Sequence, residues 1–274
     1  FTKMHGLGND FVVLDGRDHA LPPLTGDVVA ALADRHTGIG CDQLILIEPS
    51  MVADWKMRIF NNDGGEVEAC GNATRAVGLL IGGQVALETL GGTIVARPDA
   101  RGVAVDMGVP RFDWEQIPLA YPMDTLAMPV GYPVTMPDGR ELVLDNPVAV
   151  NVGNPHAIFF VPDTHAVPLA EIGPEIEHDP IFPERINVNV ATVTARDAIT
   201  LRVWERGAGL TRACGTGACA TAIAAMRRGL TDRSVTVTLP GGALGIEWTE
   251  DDRIVMTGPA TVSYTGAFDW GDYA

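Results

Sequence analysis

The sequence is poor in aromatic residues, 6% of its 274 positions, and in positive charge, with 19 Lys and Arg against 35 Asp and Glu. The resulting formal net charge of -16 repels phosphate backbones and anionic lipid. Neither nucleic acid nor a membrane surface is therefore expected as a partner, although a local pocket can still take an anionic small-molecule substrate. No stretch approaches the roughly 18 uninterrupted apolar residues of a membrane-spanning helix. The first residues, Phe1-Thr2-Lys3-Met4-His5, lack the basic-then-apolar pattern of a secretory signal, and a cytoplasmic protein is expected. The four cysteines, Cys41, Cys70, Cys214 and Cys219, form no CxxC pair and no Cys/His cluster. That pattern argues against zinc, no metal is expected, and a disulfide framework is the weaker reading. There is no GxGxxG and no lysine context for pyridoxal, so no organic cofactor is expected either. Hydrophobic residues at 46% and charged residues at 20% are, by contrast, those of a folded chain long enough for two ordinary domains.

The sequence repeats itself once. A shift of 144 residues lays Arg58-Ile59-Phe60-Asn61 on Arg202-Val203-Trp204-Glu205, Gln43 on Asn187, and Ala69-Cys70-Gly71 on Ala213-Cys214-Gly215. One residue more lays Gly8-Asn9 on Gly153-Asn154. Two copies mean a duplicated domain, since a solenoid needs at least about three stacked units.

Short strands are predicted over 12–15, 43–47, 55–60, 85–89, 93–97 and 102–107. Strands over 148–152, 158–161, 188–193, 199–204, 235–239, 244–248 and 253–256 repeat the scheme. Thr25 is placed to cap a helix bearing Val28, Val29, Leu32 and Ala33, with Gly38 as its stop. Two further helices begin at Cys70-Gly71 and Cys214-Gly215. The second, through Met226, is small and apolar almost all round, which predicts burial on every side. The fold class expected is α/β (α+β): two pseudo-symmetric domains, each a strand-rich sheet wrapped around a central buried helix. The segment from Asp113 to Leu142, rich in Pro, Asp and Met, is expected to be the crossing.

Cys70 and Cys214 each stand where a turn meets a helix amino terminus, whose unpaired N–H groups favour anions and lower a thiol pKa. Gly71 and Gly215 leave the backbone open to a ligand. Inverting a carbon next to a carboxylate needs a base on one face and an acid on the other, with N–H donors for the charge that develops. Two thiols at equivalent places in a duplication meet that need. One must start as thiolate and the other as thiol, so they titrate as a coupled pair.

These motifs closely resemble the diaminopimelate epimerase family over nearly the whole chain. The match runs from Phe1-Thr2-Lys3-Met4-His5-Gly6-Leu7-Gly8-Asn9-Asp10-Phe11 through Gly38-Ile39-Gly40-Cys41-Asp42-Gln43 and Phe60-Asn61-Asn62-Asp63-Gly64 to Ala69-Cys70-Gly71-Asn72. It resumes at Gly153-Asn154-Pro155-His156, Arg185-Ile186-Asn187-Val188 and Glu205-Arg206-Gly207-Ala208-Gly209, leading into Ala213-Cys214-Gly215-Thr216-Gly217-Ala218. The resemblance implies a cofactor-independent epimerase of LL- and meso-diaminopimelate, in lysine and peptidoglycan precursor synthesis, and a cytoplasmic homodimer. It implies Cys70 as proton donor and Cys214 as acceptor in the LL-to-meso direction. His156 and Glu205 would tune their pKa values. Substrate would be held by Asn9, Gln43, Asn61, Gly71, Asn72, Asn154, Asn187, Glu205, Arg206, Gly215 and Thr216. The domains expected are 1–113 with 261–274, holding Cys70, and 114–260, holding Cys214, with the site in the cleft between them.

Asn and Gln both donate and accept, and Arg206 suits a second carboxylate, as recognition of a distal amino-acid group requires. Taken singly, Asn9, Asn61 and Asn154 look like turn residues, His156 like a satisfied loop histidine, and Glu205-Arg206 like a solvated ion pair. Cys41, Val190, Trp204 and Leu210 depart from the commoner family pattern, and Cys41 and Cys219 read as packing. The nearest rival is a proline or hydroxyproline racemase-like enzyme, which carries His where this chain has Asn72. A phenazine-type isomerase would lack the paired cysteines. A thiol redox protein and a non-catalytic amino-acid-binding protein are the remaining alternatives.

Overall fold

The computed structural model describes residues 1–68, 70–136 and 139–273. Ala69, Pro137, Asp138 and Ala274, which several expectations include, lie outside the described residues. The chain divides into two compact units, Phe1–Asp106 with Thr257–Ala274, and Met107–Met256. In chain order the first contains β1 (Thr2–Gly6), β2 (Asn9–Asp15), α1 (Gly26–Ala33), β3 (Gln43–Glu48), β4 (Trp55–Asn61), β5 (Glu66–Val67), α2 (Gly71–Ile81), β6 (Val85–Thr89), β7 (Gly92–Asp99) and β8 (Gly102–Asp106). The second contains β9 (Gly131–Thr135), β10 (Glu141–Asp145), β11 (Val148–Asn151), β12 (Pro155–Phe160), α3 (Leu169–Glu177), β13 (Asn187–Ala195), β14 (Ala198–Glu205), β15 (Gly209–Thr211), α4 (Gly215–Arg227), β16 (Ser234–Leu239) and β17 (Gly242–Trp248). Strand β18 (Ile254–Gly258) runs through the division, and β19 (Thr261–Thr265) belongs to the first unit.

The repeat in the sequence is a repeat of topology. In the first unit β1 pairs antiparallel with β19 and β2, β2 runs parallel to β3, and β3 antiparallel to β4. Strand β4 is antiparallel to β5 and parallel to β6, and β7 and β8 follow antiparallel. In the second unit β11 and β12 are antiparallel, β12 and β13 parallel, and β13 and β14 antiparallel. There β14 is antiparallel to β15 and parallel to β16, which is antiparallel to β17. The connection between each short strand and the next parallel strand is the central helix. Helix α2 packs against β1, β7 and β8, and α4 against β11, β12, β13, β14, β16 and β17.

Burial explains the composition of both helices. Every residue of α4 from Gly217 to Met226 is buried, so small side chains are required wherever strands close in. The helix ends at the C-cap Arg228 and Gly229, whose φ of 69° lets its N–H return to Met226 O at 3.0 Å. In α2 the residues Gly71 to Gly78 are buried. A Cβ on Gly78 would lie 2.8 Å from Ala96 Cβ on β7 and 3.1 Å from Val103 Cγ1 on β8.

The sheet of the second unit is covered on its other face as well. Helix α3 packs on β13, β14 and β15, and a core of Ile117, Leu119, Tyr132, Phe159, Ile176 and Val188 forms there. Buried on both faces, β13 shows five consecutive buried residues from Asn187 to Ala191.

Four local expectations are corrected. The segment from Asp113 to Leu142 is not a bare crossing: Ile117, Leu119 and Met128 enter the second core, and β9 pairs with β10 as a hairpin. Pro and Asp mask the alternation of buried Tyr132 and Val134. The chain opens with β1, not at Val12, because the buried Lys3 that obscures this strand is neutralised by Asp10 on β2. Helix α3 is concealed by Gly173 and Pro174, and Gly173 is needed because an added Cβ would lie 2.6 Å from the Trp204 ring. Helix α1 begins under the expected cap, Thr25 Oγ1 accepting from Val28 N at 3.3 Å, but stops at Ala33. Gly38 serves a close approach instead: a Cβ there would stand 2.2 Å from Ala31 O.

Replacing Gly78 tests the packing of α2. Helix propensity alone favours Gly78→Ala by about 1 kcal/mol. Overpacking against Ala96 costs about 1–3 kcal/mol, so a net loss of stability is expected in urea unfolding; a more stable variant would contradict the close packing.

Candidate active site

Each sheet brings polar residues to the end where its central helix begins. In the first unit Asn9 opens β2, Gln43 opens β3 and Asn61 closes β4, with Phe11 opposite Gln43 and Gln43 opposite Asn61. In the second unit Asn154 precedes β12, Asn187 opens β13 opposite His156, and Glu205 closes β14. One topology used twice therefore places the matched residues of the 144-residue shift at matched ends.

At the first of these ends Cys70 is the N-cap of α2, extended at φ -145° and ψ 111°, and its sulfur does not cap the helix. Half-buried, its Sγ lies 3.9 Å from Asn9 Oδ1, within reach of a weak sulfur hydrogen bond. Asn72 Nδ2 donates to the same oxygen at 3.1 Å, and Asn9 Nδ2 donates to Asp42 Oδ2 at 3.1 Å. Gln43 Nε2 donates to Asn61 Oδ1 at 3.0 Å. Gln43 Oε1 is buried and meets no hydrogen-bond partner among the described residues. A buried acceptor left open costs about 1–3 kcal/mol, which makes it a natural place for a ligand N–H.

At the second end Cys214 caps α4 with its own sulfur, which accepts from Gly217 N at 3.3 Å and lies 3.6 Å from Thr216 Oγ1. Burial pushes the Cys214 thiol well above the ordinary range, and the neighbouring Glu205 charge pushes it further, while Thr216 and Gly217 oppose. Burial also raises the Glu205 carboxyl, against hydrogen bonds from Thr211 and Cys214. A thiol and a carboxylate, both with raised proton affinity, are thus paired in one buried place.

The remaining residues divide between open and engaged groups. His156 is fully buried, its Nδ1 3.1 Å from Asn189 Oδ1 and its Nε2 2.9 Å from Asn154 Oδ1. Asn189 Nδ2 donates to Gly217 O and Thr221 Oγ1, so its oxygen faces the ring and the ring proton sits on Nδ1. The Nε2 lone pair then calls for the Asn154 amide to be turned over, with Nδ2 in place of Oδ1. Asn187 is engaged with backbone, donating to Pro155 O at 2.8 Å and accepting from Arg206 N at 2.9 Å. Arg206 is exposed and donates to Glu184 O at 2.9 Å.

Glu177 escaped the sequence reading. It is 2% exposed, accepts from Trp204 Nε1 at 2.7 Å and Gly207 N at 3.0 Å, and so fixes the turn that carries Glu205 and Arg206. The signal for it was Trp204, whose indole N–H needs an acceptor once half-buried. Of the other departures from the family pattern, Val190 and Cys41 are buried in hydrophobic cores and Leu210 is exposed. Among the described residues no group of three His, Cys, Asp or Glu is placed to hold a metal ion. No helix among them is long and apolar enough to cross a membrane.

Two cysteines at the N-cap positions of a duplicated scaffold invite comparison with known proteins. The family model for diaminopimelate epimerase matches residues 1–112 and 148–263. The chain belongs to the diaminopimelate epimerase family. The family model leaves unmatched the stretch that contains the β9–β10 hairpin. A diaminopimelate epimerase of Erythrobacter litoralis is 67% identical over all of this chain and 98% of its own length. One of Rhizorhabdus wittichii is 60% identical over 98% of this chain and 95% of its own. The fold extends further. A probable proline racemase from Agrobacterium radiobacter K84 aligns at a TM-score of 0.65 and 16% identity over 98% of this chain and 92% of its own. A phenazine biosynthesis protein of the PhzF family from Bacillus anthracis aligns at 0.63 and 14%, over 95% of each chain.

For this family member the buried histidine sets a test. Burial lowers the His156 pKa from 6.5 to about 4, against the Asn189 hydrogen bond that raises it and with the Arg206 charge adding to the fall. As the pH drops from 6.5 towards 4 the unfolded chain binds a proton that the folded chain refuses, so stability falls, by up to roughly 3 kcal/mol. Imidazole NMR should show His156 neutral, with its proton on Nδ1, throughout the neutral range; a midpoint near the ordinary 6.5 would contradict the assignment.

Proposed function

We propose that the protein interconverts LL- and meso-2,6-diaminopimelate by removing the α-proton to Cys214 on one face and delivering a second proton from Cys70 on the other, without an organic cofactor or metal. The observation that carries this reading is the pair of N-cap cysteines on equivalent buried helices, each beside a group of different character. In the LL-to-meso direction the Cys214 proton passes to the Glu205 carboxylate, whose proton affinity burial has raised. The thiolate, held by Gly217 N–H and the Thr216 hydroxyl, removes the α-proton. The electron pair of that bond moves onto the substrate carboxylate, which the reading assigns to the helix starts at Gly71-Asn72 and Gly215-Thr216. Cys70, its S–H turned to Asn9 Oδ1, then delivers its proton to the other face and becomes the thiolate. In reverse the roles exchange.

Selectivity for a substrate with two amino-acid ends follows from polar groups, one of which is open among the described residues. The unpartnered Gln43 Oε1 is assigned to a substrate ammonium, and Asn61, Asn154 and Arg206 to the groups around it. A site that needs such groups to be satisfied rejects an analogue that lacks them by about 10⁴-fold or more. Asn187 contributes through the backbone of Arg206. The same reading takes the enzyme to be a cytoplasmic homodimer, as the family resemblance implies.

Reduced protein without added cofactor should therefore form meso product from LL-diaminopimelate and leave L-proline unchanged. Racemisation of proline alone would move it to the rival reading. Cys70→Ala and Cys214→Ala should each lower kcat by about 10²–10⁴-fold; near-normal turnover in either would end the two-thiol mechanism. The rate should trace a bell against pH, the mark of one acid and one base, and a flat profile across the thiol range would contradict it.

A further inference from the structure

Arg75 is the bulkiest side chain fully withdrawn from solvent among the described residues. It lies one turn into α2, on the same face as Asn72. Its Nη2 donates to Asn72 Oδ1 at 2.7 Å, its Nη1 to Gly71 O at 3.5 Å and its Nε to Pro259 O at 3.4 Å. These three acceptors are neutral oxygens. Burying a guanidinium is expensive, and an apolar side chain of similar length fills such a space at lower cost. Gly6 makes the room: a Cβ there would lie 3.2 Å from Arg75 Nη2 and 3.4 Å from Asn72 Cβ.

What a guanidinium supplies that an apolar side chain does not is polarity of one sign. The two ends of an Asn amide are nearly alike in shape, so its orientation is set by partners that can only donate or only accept. Arg75 only donates, which turns Asn72 Oδ1 inward and Asn72 Nδ2 outward to Asn9 Oδ1. At the other end the Asp42 carboxylate only accepts, which turns Asn9 Nδ2 to Asp42 and Asn9 Oδ1 to Cys70. A donor at one end and an acceptor at the other fix both amides. The oxygen left facing Cys70 Sγ accepts S–H.

We propose that Arg75 is a positioning residue for the proton on Cys70: through Asn72 and Asn9 it keeps an acceptor oxygen aimed at the sulfur, so that Cys70 stands protonated and oriented before it delivers. Its use in turnover rests on the epimerase reading, but the relay itself does not. Without Arg75 the Asn72 amide is held from one side only, its N–H to Asn9 Oδ1 is no longer fixed, and Asp42 alone restrains the Asn9 amide.

The S–H stretching vibration reports this directly, since it falls to lower frequency when the thiol donates a hydrogen bond. The Cys70 band is isolated as the infrared difference between a protein and its Cys70→Ala counterpart, in the full chain under reductant and without substrate. In the wild type the band is expected at the lowered, hydrogen-bonded frequency. Arg75→Met should move it towards the free-thiol position, and Arg75→Lys, which keeps the charge but not the planar fork, should move it by a smaller step. Turnover in Arg75→Met should fall by up to about 10²-fold in kcat, with KM changed much less. A wild-type band at the free-thiol position, or an unmoved band in folded Arg75→Met, overturns the proposal. Should the methionine variant not fold, an unmoved band in Arg75→Lys overturns it. Failure of the wild type to turn over diaminopimelate would instead strike the epimerase reading and leave the infrared result standing.

Discussion

A helix enclosed by strands must begin somewhere, and its first N–H groups have no partner within the helix. In this protein two helices begin inside packed units, and the residue at each start is a cysteine followed by glycine. That constraint organises much else. It calls for small residues along α4, for Gly78 where α2 meets β7 and β8, and for sheets whose connections lead into a central helix. It also gives each sulfur a field of partial positive charge.

The duplication makes the two starts alike in backbone and unlike in proton chemistry. Cys214 accepts an N–H from its own helix and shares a buried niche with Glu205. Cys70 leaves its helix uncapped and turns towards an amide oxygen. A symmetric pair would have no preferred resting state. Here one sulfur shares its niche with a carboxylate of raised proton affinity, and the other faces an amide oxygen that can accept an S–H. Asn61 in one half aligns with Glu205 in the other, so one substitution within the duplicated pattern accounts for much of the difference.

Much of this was legible in the sequence, because the repeat, the Cys-Gly pairs and the apolar α4 depend on local pattern. What was hidden depends on partners distant in sequence. Strand β1 was masked by Lys3, whose charge makes sense only beside Asp10. Helix α3 was masked by Gly173 and Pro174, and Glu177 at its end became visible only when Trp204 was seen to donate to it. The resemblance assigns Asn187 to the substrate, and in the fold its amide ties the Arg206 turn to Pro155. The resemblance makes His156 a residue that tunes the cysteines, and in the fold it stands between two amides. Arg75 carries no signal of its own in the sequence; in space it is the donor end of a chain that reaches Cys70.

The claim that two thiols of opposite proton state act on one carbon is tested most directly by the origin of the hydrogen in the product. LL-diaminopimelate is converted in D₂O, and the first meso product is analysed by mass and by proton NMR at the inverted carbon. Delivery from a second, solvent-equilibrated thiol puts deuterium in essentially every meso molecule while the unreacted LL substrate still keeps its hydrogen. A meso product that retains the original hydrogen would mean that one group removes and returns the same proton, and would contradict the account.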